Sequence, residues 1–202
     1  MLWHVTALVA AYLIGSLSFA VIISRMMGLA DPRSYGSGNP GATNVLRSGS
    51  KKAAVLTLLF DALKGYVPVA LAAAWALPPA MVALVGLAAF LGHLYPVFFR
   101  FQGGKGVATA AGVVLALSPW LGLAVLAVFA LAVGLWRYVS LASMLAAGAA
   151  ALLVAAVPGP WPRDAATAAA LTAMAALLVW RHRENITRLR AGVESKLGSK
   201  KK

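Results

Sequence analysis

The stretch WHVTALVAAYLIGSLSFAVIIS, residues 3–24, decides the fold class, because no Lys, Arg, Asp or Glu interrupts it. A helix needs about 20 mostly apolar residues to cross the hydrocarbon core of a bilayer. The stretch lacks the basic leading region of a cleaved signal peptide. We therefore expect it to be retained as a first membrane span.

The rest of the chain repeats this pattern. Of its 202 residues, 61% are hydrophobic and only 11% are charged, which is far too apolar for a soluble domain. We predict an all-α integral membrane protein, a bundle of seven transmembrane helices in one domain over residues 1–197, with a disordered basic tail at 198–202. The six further spans, of which the last four are short or marginal, are 53–75, 80–99, 107–117, 120–136, 141–157 and 165–180.

Basic residues give the predicted orientation. With the N-terminus outside, all of the 18 Lys and Arg residues except Lys64 and Arg163 fall in segments on the cytoplasmic side. An excess of positive charge in cytoplasmic loops is the strongest orientation signal in a membrane sequence. Merging 107–117 with 120–136 across Pro119 would destroy this division. We therefore predict seven spans with a cytoplasmic C-terminus.

The first predicted cytoplasmic loop contains GSGNPGATN, residues 36–44. Its glycines match the spacing of a dinucleotide-binding turn, but no strand precedes them and Asp61 lies in the next span, which excludes that interpretation. Glycines also let backbone N–H groups form a concave nest for phosphate. Arg47 would add a planar charged fork. The alternative is a flexible solvent loop.

The second predicted cytoplasmic loop contains RFQGGKGVAT, residues 100–109. Three glycines surround Lys105, and a helix is expected to begin directly after Gly106. Unpaired N–H groups at a helix N-terminus favour anions. Lys105 is followed by Gly rather than Ser or Thr, so this is not a nucleoside triphosphate loop.

The third predicted cytoplasmic segment is RHRENITRLRAGVESK, residues 181–196. His182 and Asn185 are three positions apart and would share a helix face. Two interpretations of its basic residues stay open, namely a substrate site or a tail that holds anionic lipid headgroups. For Arg188, Arg190 and Lys196, the lipid-binding interpretation is as well supported as the substrate-site interpretation.

Two ionisable residues lie inside a predicted span. Asp61 and Lys64 are three apart on one helical face, and intramembrane charges mark function by default. A self-neutralising structural pair is an equal alternative. His93, before the second loop, is expected to be a packing residue.

Three segments carry a family resemblance. SGNPGATNVLR, GHLYPVFFRFQGGKGVAT and HRENITRLRAGVESK closely resemble, in order, the three motifs of the bacterial acyl-phosphate-dependent glycerol-3-phosphate acyltransferases, the PlsY family. The similarity covers nearly the whole chain. It implies transfer of a fatty acyl group from acyl phosphate to the 1-hydroxyl of sn-glycerol 3-phosphate, giving lysophosphatidic acid and phosphate.

The resemblance also implies a location and partners. The protein is expected in the bacterial cytoplasmic membrane as a monomer, with its active site facing the cytoplasm. Its partners would be the bilayer and the substrates acyl phosphate and glycerol 3-phosphate. No cofactor, metal or nucleic acid is expected.

The implied catalytic residues are Ser37, Arg47, Lys105, His182 and Asn185. Glu194 is implied to be more structural, and a serine of the sixth span is expected to contribute, either Ser143 or, as the alternative, Ser140. The expected substrate-binding and phosphate-binding residues are Gly38, Asn39, Gly41, Ala42, Thr43, Asn44, Gly103, Gly104, Gly106, Thr109 and Ser143.

The residues agree with this chemistry independently. Two phosphate-bearing substrates require cations and backbone donors. An acyl phosphate has a good leaving group, so positioning can suffice, and the chain offers neither a G-x-S-x-G nucleophile nor a Cys. We hypothesise that the donor's own phosphate takes the proton. A transporter for a phosphorylated metabolite and a non-catalytic membrane anchor are the rival interpretations.

Overall fold

The computed structural model describes residues 2–198, which form helices and contain no strand. The predicted all-α class is confirmed. Residues 199–202 of the predicted tail lie outside the described residues. The helices are α1 (Leu2–Gly15), α2 (Phe19–Met26), α3 (Ala42–Val45), α4 (Lys51–Ala74), α5 (Pro79–Leu94), α6 (Val107–Leu117), α7 (Pro119–Trp136), α8 (Val139–Ala156), α9 (Ala165–Arg181) and α10 (Arg183–Arg190), with short 3₁₀ turns at Leu46–Ser48 and Val97–Phe99.

Length and composition divide these helices into three groups. Within residues 2–198, four segments are long and apolar enough to cross a membrane: α4, α5 with its 3₁₀ turn, α7 and α8. The pairs α1–α2 and α9–α10 are bent by 45° and 57°, and counting each as one span gives six. Helix α6 has 11 residues, about 16 Å of helix against a core of about 30 Å. The count of seven transmembrane helices stays a prediction.

The first predicted span is broken in its middle. Helix α1 ends at Gly15 and α2 begins at Phe19. A Cβ atom on Gly15 would lie 2.1 Å from the carbonyl oxygen of Ala89, so α1 packs backbone against backbone on α5. The Leu17 carbonyl in the break accepts a hydrogen bond of 2.6 Å from Lys64 Nζ. A side chain of α4 therefore compensates the interrupted helix.

Glycines bring α4 and α6 into close contact. A Cβ on Gly65 would lie 2.2 Å from the carbonyl oxygen of Thr109, and one on Gly112 would lie 2.0 Å from that of Ala62. Small residues permit this approach between membrane helices. The short helix α6 is thereby fixed against α4, which sets the position of its N-terminus.

The chain reverses between α6 and α7. A Cβ on Gly122 would lie 2.4 Å from Leu115 Cδ2, which one continuous helix would not allow. Ser118 caps α7, since its hydroxyl oxygen accepts from Leu121 N at 3.3 Å, and it donates to the Pro160 carbonyl at 2.9 Å. The predicted segments 107–117 and 120–136 are thus separate helices.

One end of the bundle gathers the three motif segments. The carbonyl of Pro40, in the first loop, lies 3.1 Å from where a Cβ of Gly104 would be. Arg181, at the end of α9, donates to the carbonyl of Gly103 at 2.7 Å. The bundle therefore places segments that are distant in sequence around one region.

Candidate active site

The first loop is folded around Asn44, which is buried. Its side-chain oxygen accepts from Ser37 N at 3.0 Å, and its Nδ2 donates to the carbonyls of Pro32 at 2.6 Å and Tyr35 at 3.1 Å. A Cβ on Gly36 would lie 2.2 Å from Asn44 Oδ1, and Gly36 has φ +64°. The loop has a specific fold rather than being a flexible connection.

Two predicted catalytic residues flank this centre. Arg47 Nη1 donates to Asn44 Oδ1 at 3.4 Å, and Ser37 binds the same oxygen through its backbone N–H at 3.0 Å. Both Ser37 and Arg47 are exposed. The Ser37 backbone N–H and the Arg47 guanidinium therefore meet at one oxygen atom, and both residues are accessible to an anion. The other predicted binding residues of this loop are Gly38, Asn39, Gly41, Ala42 and Thr43.

The glycines of the second loop serve close packing. A Cβ on Gly103 would lie 2.2 Å from the His93 carbonyl oxygen, and one on Gly104 would lie 2.3 Å from His93 Nε2. Gly104 N donates to the His93 carbonyl at 3.2 Å, so this N–H is already engaged. Gly106 has φ +81° and precedes the first residue of α6, Val107. The predicted helix start directly after Gly106 is confirmed.

Arg181 anchors the same loop from α9. Its Nη2 donates to the Gly103 carbonyl at 2.7 Å and its Nε to the Gly104 carbonyl at 3.1 Å. Sequence reasoning missed this residue, because it precedes the third motif and spacing alone gives it no partner. The contact joins the second motif to the end of α9, directly before the third motif.

Lys105 is the cation at the centre of the site. Its Nζ donates to Asn185 Oδ1, which connects the glycine loop to α10. Burial lowers the pKa of Lys105 to about 8, and the positive charge of Arg188 acts in the same direction. The ammonium group is thus incompletely solvated, which favours the approach of a phosphate.

Glu194 closes a polar network behind Asn185. One carboxylate oxygen accepts from Asn185 Nδ2 and from Ser140 Oγ, both at 2.6 Å, and the other accepts from Arg188 Nε at 2.7 Å. Burial alone would raise the pKa of Glu194, but these hydrogen bonds outweigh it and lower the pKa below its usual value. Glu194 therefore remains a carboxylate and fixes the orientation of Asn185.

The structure places the two serine candidates differently. Ser140 is in the Glu194 network, whereas Ser143 Oγ donates to the Val139 carbonyl of its own helix at 2.8 Å. Ser143 lines an apolar cavity of about 200 Å³ between α6, α7, α8 and α9. A lipid chain is the ligand that such a lining accommodates.

His182 and Thr109 are both buried. His182 lies between α9 and α10, and its Nδ1 donates to the Leu178 carbonyl at 2.8 Å, so the neutral ring keeps Nε2 as an acceptor. Thr109 Oγ1 lies 3.1 Å from His93 Nδ1. Thr109 thus supports His93, the residue on which Gly104 packs.

The charged pair Asp61 and Lys64 in α4 lies close to His93, on which the second loop packs. Lys64 Nζ lies 2.7 Å from Asp61 Oδ1 and donates to Leu17 in the α1–α2 break. His93 Nδ1 lies 3.8 Å from the same carboxylate oxygen. This geometry favours a structural pair that supports the helix break and His93.

In residues 2–198, no three His, Cys, Asp or Glu side chains are grouped to hold a metal.

Comparison with known proteins agrees with this geometry. The sequence matches the glycerol-3-phosphate acyltransferase family over residues 5–192. The chain belongs to the glycerol-3-phosphate acyltransferase family. A glycerol-3-phosphate acyltransferase of Burkholderia cenocepacia (strain J2315) is 60% identical over 97% of this chain and 92% of its own length. One from Burkholderia multivorans is 59% identical with the same coverage.

Solved structures extend the family match to three dimensions. The glycerol 3-phosphate form of PlsY, an integral membrane glycerol 3-phosphate acyltransferase, has a TM-score of 0.89 and 42% identity over 96% of both chains. Its lysophosphatidic acid form has a TM-score of 0.87 and 41% identity, covering 96% of this chain and 95% of that one. The PlsY resemblance of the three motifs is therefore confirmed. The present chain, like these relatives, is an integral membrane protein.

Proposed function

We propose that this acyltransferase moves a fatty acyl group from acyl phosphate to the 1-hydroxyl of sn-glycerol 3-phosphate, releasing lysophosphatidic acid and inorganic phosphate. The acceptor is supported by relatives of the same fold that are described with glycerol 3-phosphate and with lysophosphatidic acid. The acyl phosphate donor rests on the motif resemblance and on the chemistry of the site. The proposed setting is the bacterial cytoplasmic membrane, with the site facing the cytoplasm.

The Lys105–Asn185–Glu194 chain carries the proposal. It places a half-buried cation beside the N-terminus of α6. Lys105 donates to Asn185, and Glu194 in turn accepts from Asn185, which holds the amide in place. Backbone donors and a charged side chain at a helix start are the elements that bind phosphate. We assign the glycerol 3-phosphate phosphate to Lys105 and the loop around it.

The donor needs a second phosphate subsite and a place for its chain. Ser37 and Arg47 are exposed next to Asn44, and the first loop touches the second at Pro40 and Gly104. We assign the donor phosphate to Ser37 and Arg47. The apolar cavity includes Val107, two residues beyond Lys105, and would receive the acyl chain.

Positioning carries most of the proposed catalysis. The 1-hydroxyl oxygen attacks the acyl carbonyl carbon, the bond from that carbon to the phosphate oxygen breaks, and the hydroxyl proton passes to a phosphoryl oxygen of the departing phosphate. Glu194 is a poor base because its hydrogen bonds lower its pKa. His182, held through Nδ1 by Leu178, would orient a group through Nε2.

A single assay separates this function from its rivals. Purified protein in phosphatidylcholine nanodiscs, given palmitoyl phosphate and glycerol 3-phosphate, should release phosphate and lysophosphatidic acid in equal amounts. His182→Gln should retain measurable turnover. In sealed vesicles, a transporter would instead accumulate labelled glycerol 3-phosphate without forming product, and a membrane anchor would do neither; either result would refute the proposal.

A further inference from the structure

A second polar cleft lies outside the proposed acyl-transfer site. It has a volume of about 770 Å³ and lies between the end of α2, the chain that follows it, and residues 98–102. Three arginines line it, Arg25, Arg33 and Arg100, together with Asp31. Lys105 and the Glu194 network do not line it. The sequence motifs assign no role to this arginine cluster.

The charges of the cleft are only partly compensated. Arg33 binds Asp31 in a forked pair, with Nη2 to Oδ2 at 2.6 Å and Nε to Oδ1 at 3.0 Å. The single acid of the cleft is thus committed to one of the three arginines. Arg25 and Arg100 are both exposed. Uncompensated positive charge therefore remains in a concave space, which favours an anionic group.

One wall of the cleft has a strained backbone. Arg100 and the next residue, Phe101, have φ values of +54° and +59°, a region that side-chain-bearing residues seldom occupy. Hydrogen bonds hold this turn, from Phe101 N to the Pro96 carbonyl at 2.9 Å and from Gln102 N to the Phe99 carbonyl at 3.1 Å. Such strain persists where the surroundings fix it, often at ligand sites.

The cleft lies where two candidate spans end. Arg25 is in the last turn of α2, and Arg100 follows the 3₁₀ turn that closes the span Pro79–Phe99. The lining also contains Val21 and Phe98, and Phe98 is 57% exposed. An arginine pair at the membrane boundary beside apolar side chains suits a ligand with a charged head and a hydrocarbon tail.

We propose that this cleft binds the phosphate group of an anionic phospholipid, held between Arg25 and Arg100. Guanidinium forks bind phosphate oxygens bidentately, whereas a zwitterionic lipid brings its own cation into the cleft. Arg33, paired with Asp31 and with its Cζ 6.0 Å from the centre of the Phe99 ring, lines the same cleft. The inference does not depend on the acyltransferase function proposed above.

Native mass spectrometry of the detergent-solubilised full chain tests this site. Dioleoyl phosphatidylglycerol should bind at least about tenfold more tightly than dioleoyl phosphatidylcholine, since charge-assisted contacts distinguish the two headgroups. In the double variant Arg25→Gln/Arg100→Gln, the ratio of phosphatidylglycerol affinity to phosphatidylcholine affinity should fall about tenfold. The matched control Lys51→Gln/Lys52→Gln removes two exposed charges at the start of α4 and should retain it.

Three outcomes would overturn the proposal. The first is that the arginine double variant binds phosphatidylglycerol as tightly as the unaltered protein does. The second is that both double variants lose the same affinity, which would indicate a general effect of surface charge. Alternatively, inorganic phosphate would compete at equal concentration, which indicates a free-phosphate site. If the double variant does not fold, Arg100→Gln alone must still lower the preference, and Arg25→Lys/Arg100→Lys must retain more of it.

Discussion

Lys105 and Asn185, 80 positions apart in the chain, are joined by a hydrogen bond from Nζ to Oδ1. This contact connects the loop before α6 to α10, and Glu194 holds Asn185 from the other side. The second and third motifs, which are far apart along the chain, are thus joined in one hydrogen-bond network. A buried polar network of this kind is sensitive to the loss of any member.

Removal of the Lys105 ammonium should weaken acceptor binding. We expect Lys105→Ala to raise the KM for glycerol 3-phosphate roughly 10- to 150-fold, because a lost charge-assisted contact costs about 1.5–3 kcal/mol. Steady-state kinetics in nanodiscs would measure it. Lys51→Ala, at an exposed lysine outside the site, is the control. An unchanged KM and kcat in folded Lys105→Ala would remove Lys105 from the site.

Acceptor affinity should depend on pH through Lys105. Its pKa is lowered to about 8, so the free protein carries the ammonium below pH 8 and loses it above. A bound phosphate favours the charged form, so binding is strongest below pH 8 and weakens by up to about tenfold per pH unit above it. The substrate phosphate, with a second pKa near 6, is already a dianion there.

Calorimetric titration of glycerol 3-phosphate between pH 7 and 9.5 would record this dependence. Lys105→Arg provides the control, because a guanidinium keeps its proton throughout this range. Its affinity should be independent of pH above pH 8. The same decline in both proteins would assign the titration to another group.

Gly104 should tolerate no side chain. We expect Gly104→Ala to reduce activity strongly and to lower the melting temperature, because its Cβ would lie 2.3 Å from His93 Nε2 and 3.1 Å from the Pro40 carbonyl oxygen. Gly134→Ala is the matched control, since nothing lies within 4 Å of that Cβ. Activity assays and thermal unfolding of both variants test this expectation. Equal activity and equal melting temperature in the two variants would contradict the packing described.

The predicted topology is open to labelling. Single cysteines at Lys52, Arg163 and Arg190, all exposed, should react with an impermeant maleimide from two different sides of sealed membranes. Lys52→Cys and Arg190→Cys should be labelled from the cytoplasmic side and Arg163→Cys from the outside. Labelling of Lys52→Cys and Arg163→Cys from one side would exclude seven spans in this orientation.

Hydropathy predicted the helical class and the ends of most helices, because uncharged stretches in a membrane protein are read directly from composition. It did not predict the break between Gly15 and Phe19, since Ser16 and Ser18 are compatible with a continuous span. The compensating hydrogen bond from Lys64 to Leu17 depends on the packing of α4 against α2. Such tertiary compensation has no signal in a local window.

The motif residues predicted where the candidate site lies but not how its parts are arranged. The motif assigns Gly103 and Gly104 to phosphate binding, whereas in the structure Gly103 packs on the His93 and Leu94 carbonyls and Gly104 packs on His93 Nε2. Arg181 and Ser140 acquire their partners only through folding. Spacing along one chain cannot show which carbonyl or carboxylate lies opposite a side chain.

Donor specificity tests the central claim most directly. Purified protein in nanodiscs should convert labelled glycerol 3-phosphate to lysophosphatidic acid with palmitoyl phosphate, with one inorganic phosphate released per product. Palmitoyl-CoA should give no product above the protein-free background, because a thioester places no phosphate at the reacting carbonyl to accept the proton. Comparable turnover with palmitoyl-CoA free of any phosphate donor would contradict both the donor and the substrate-assisted mechanism.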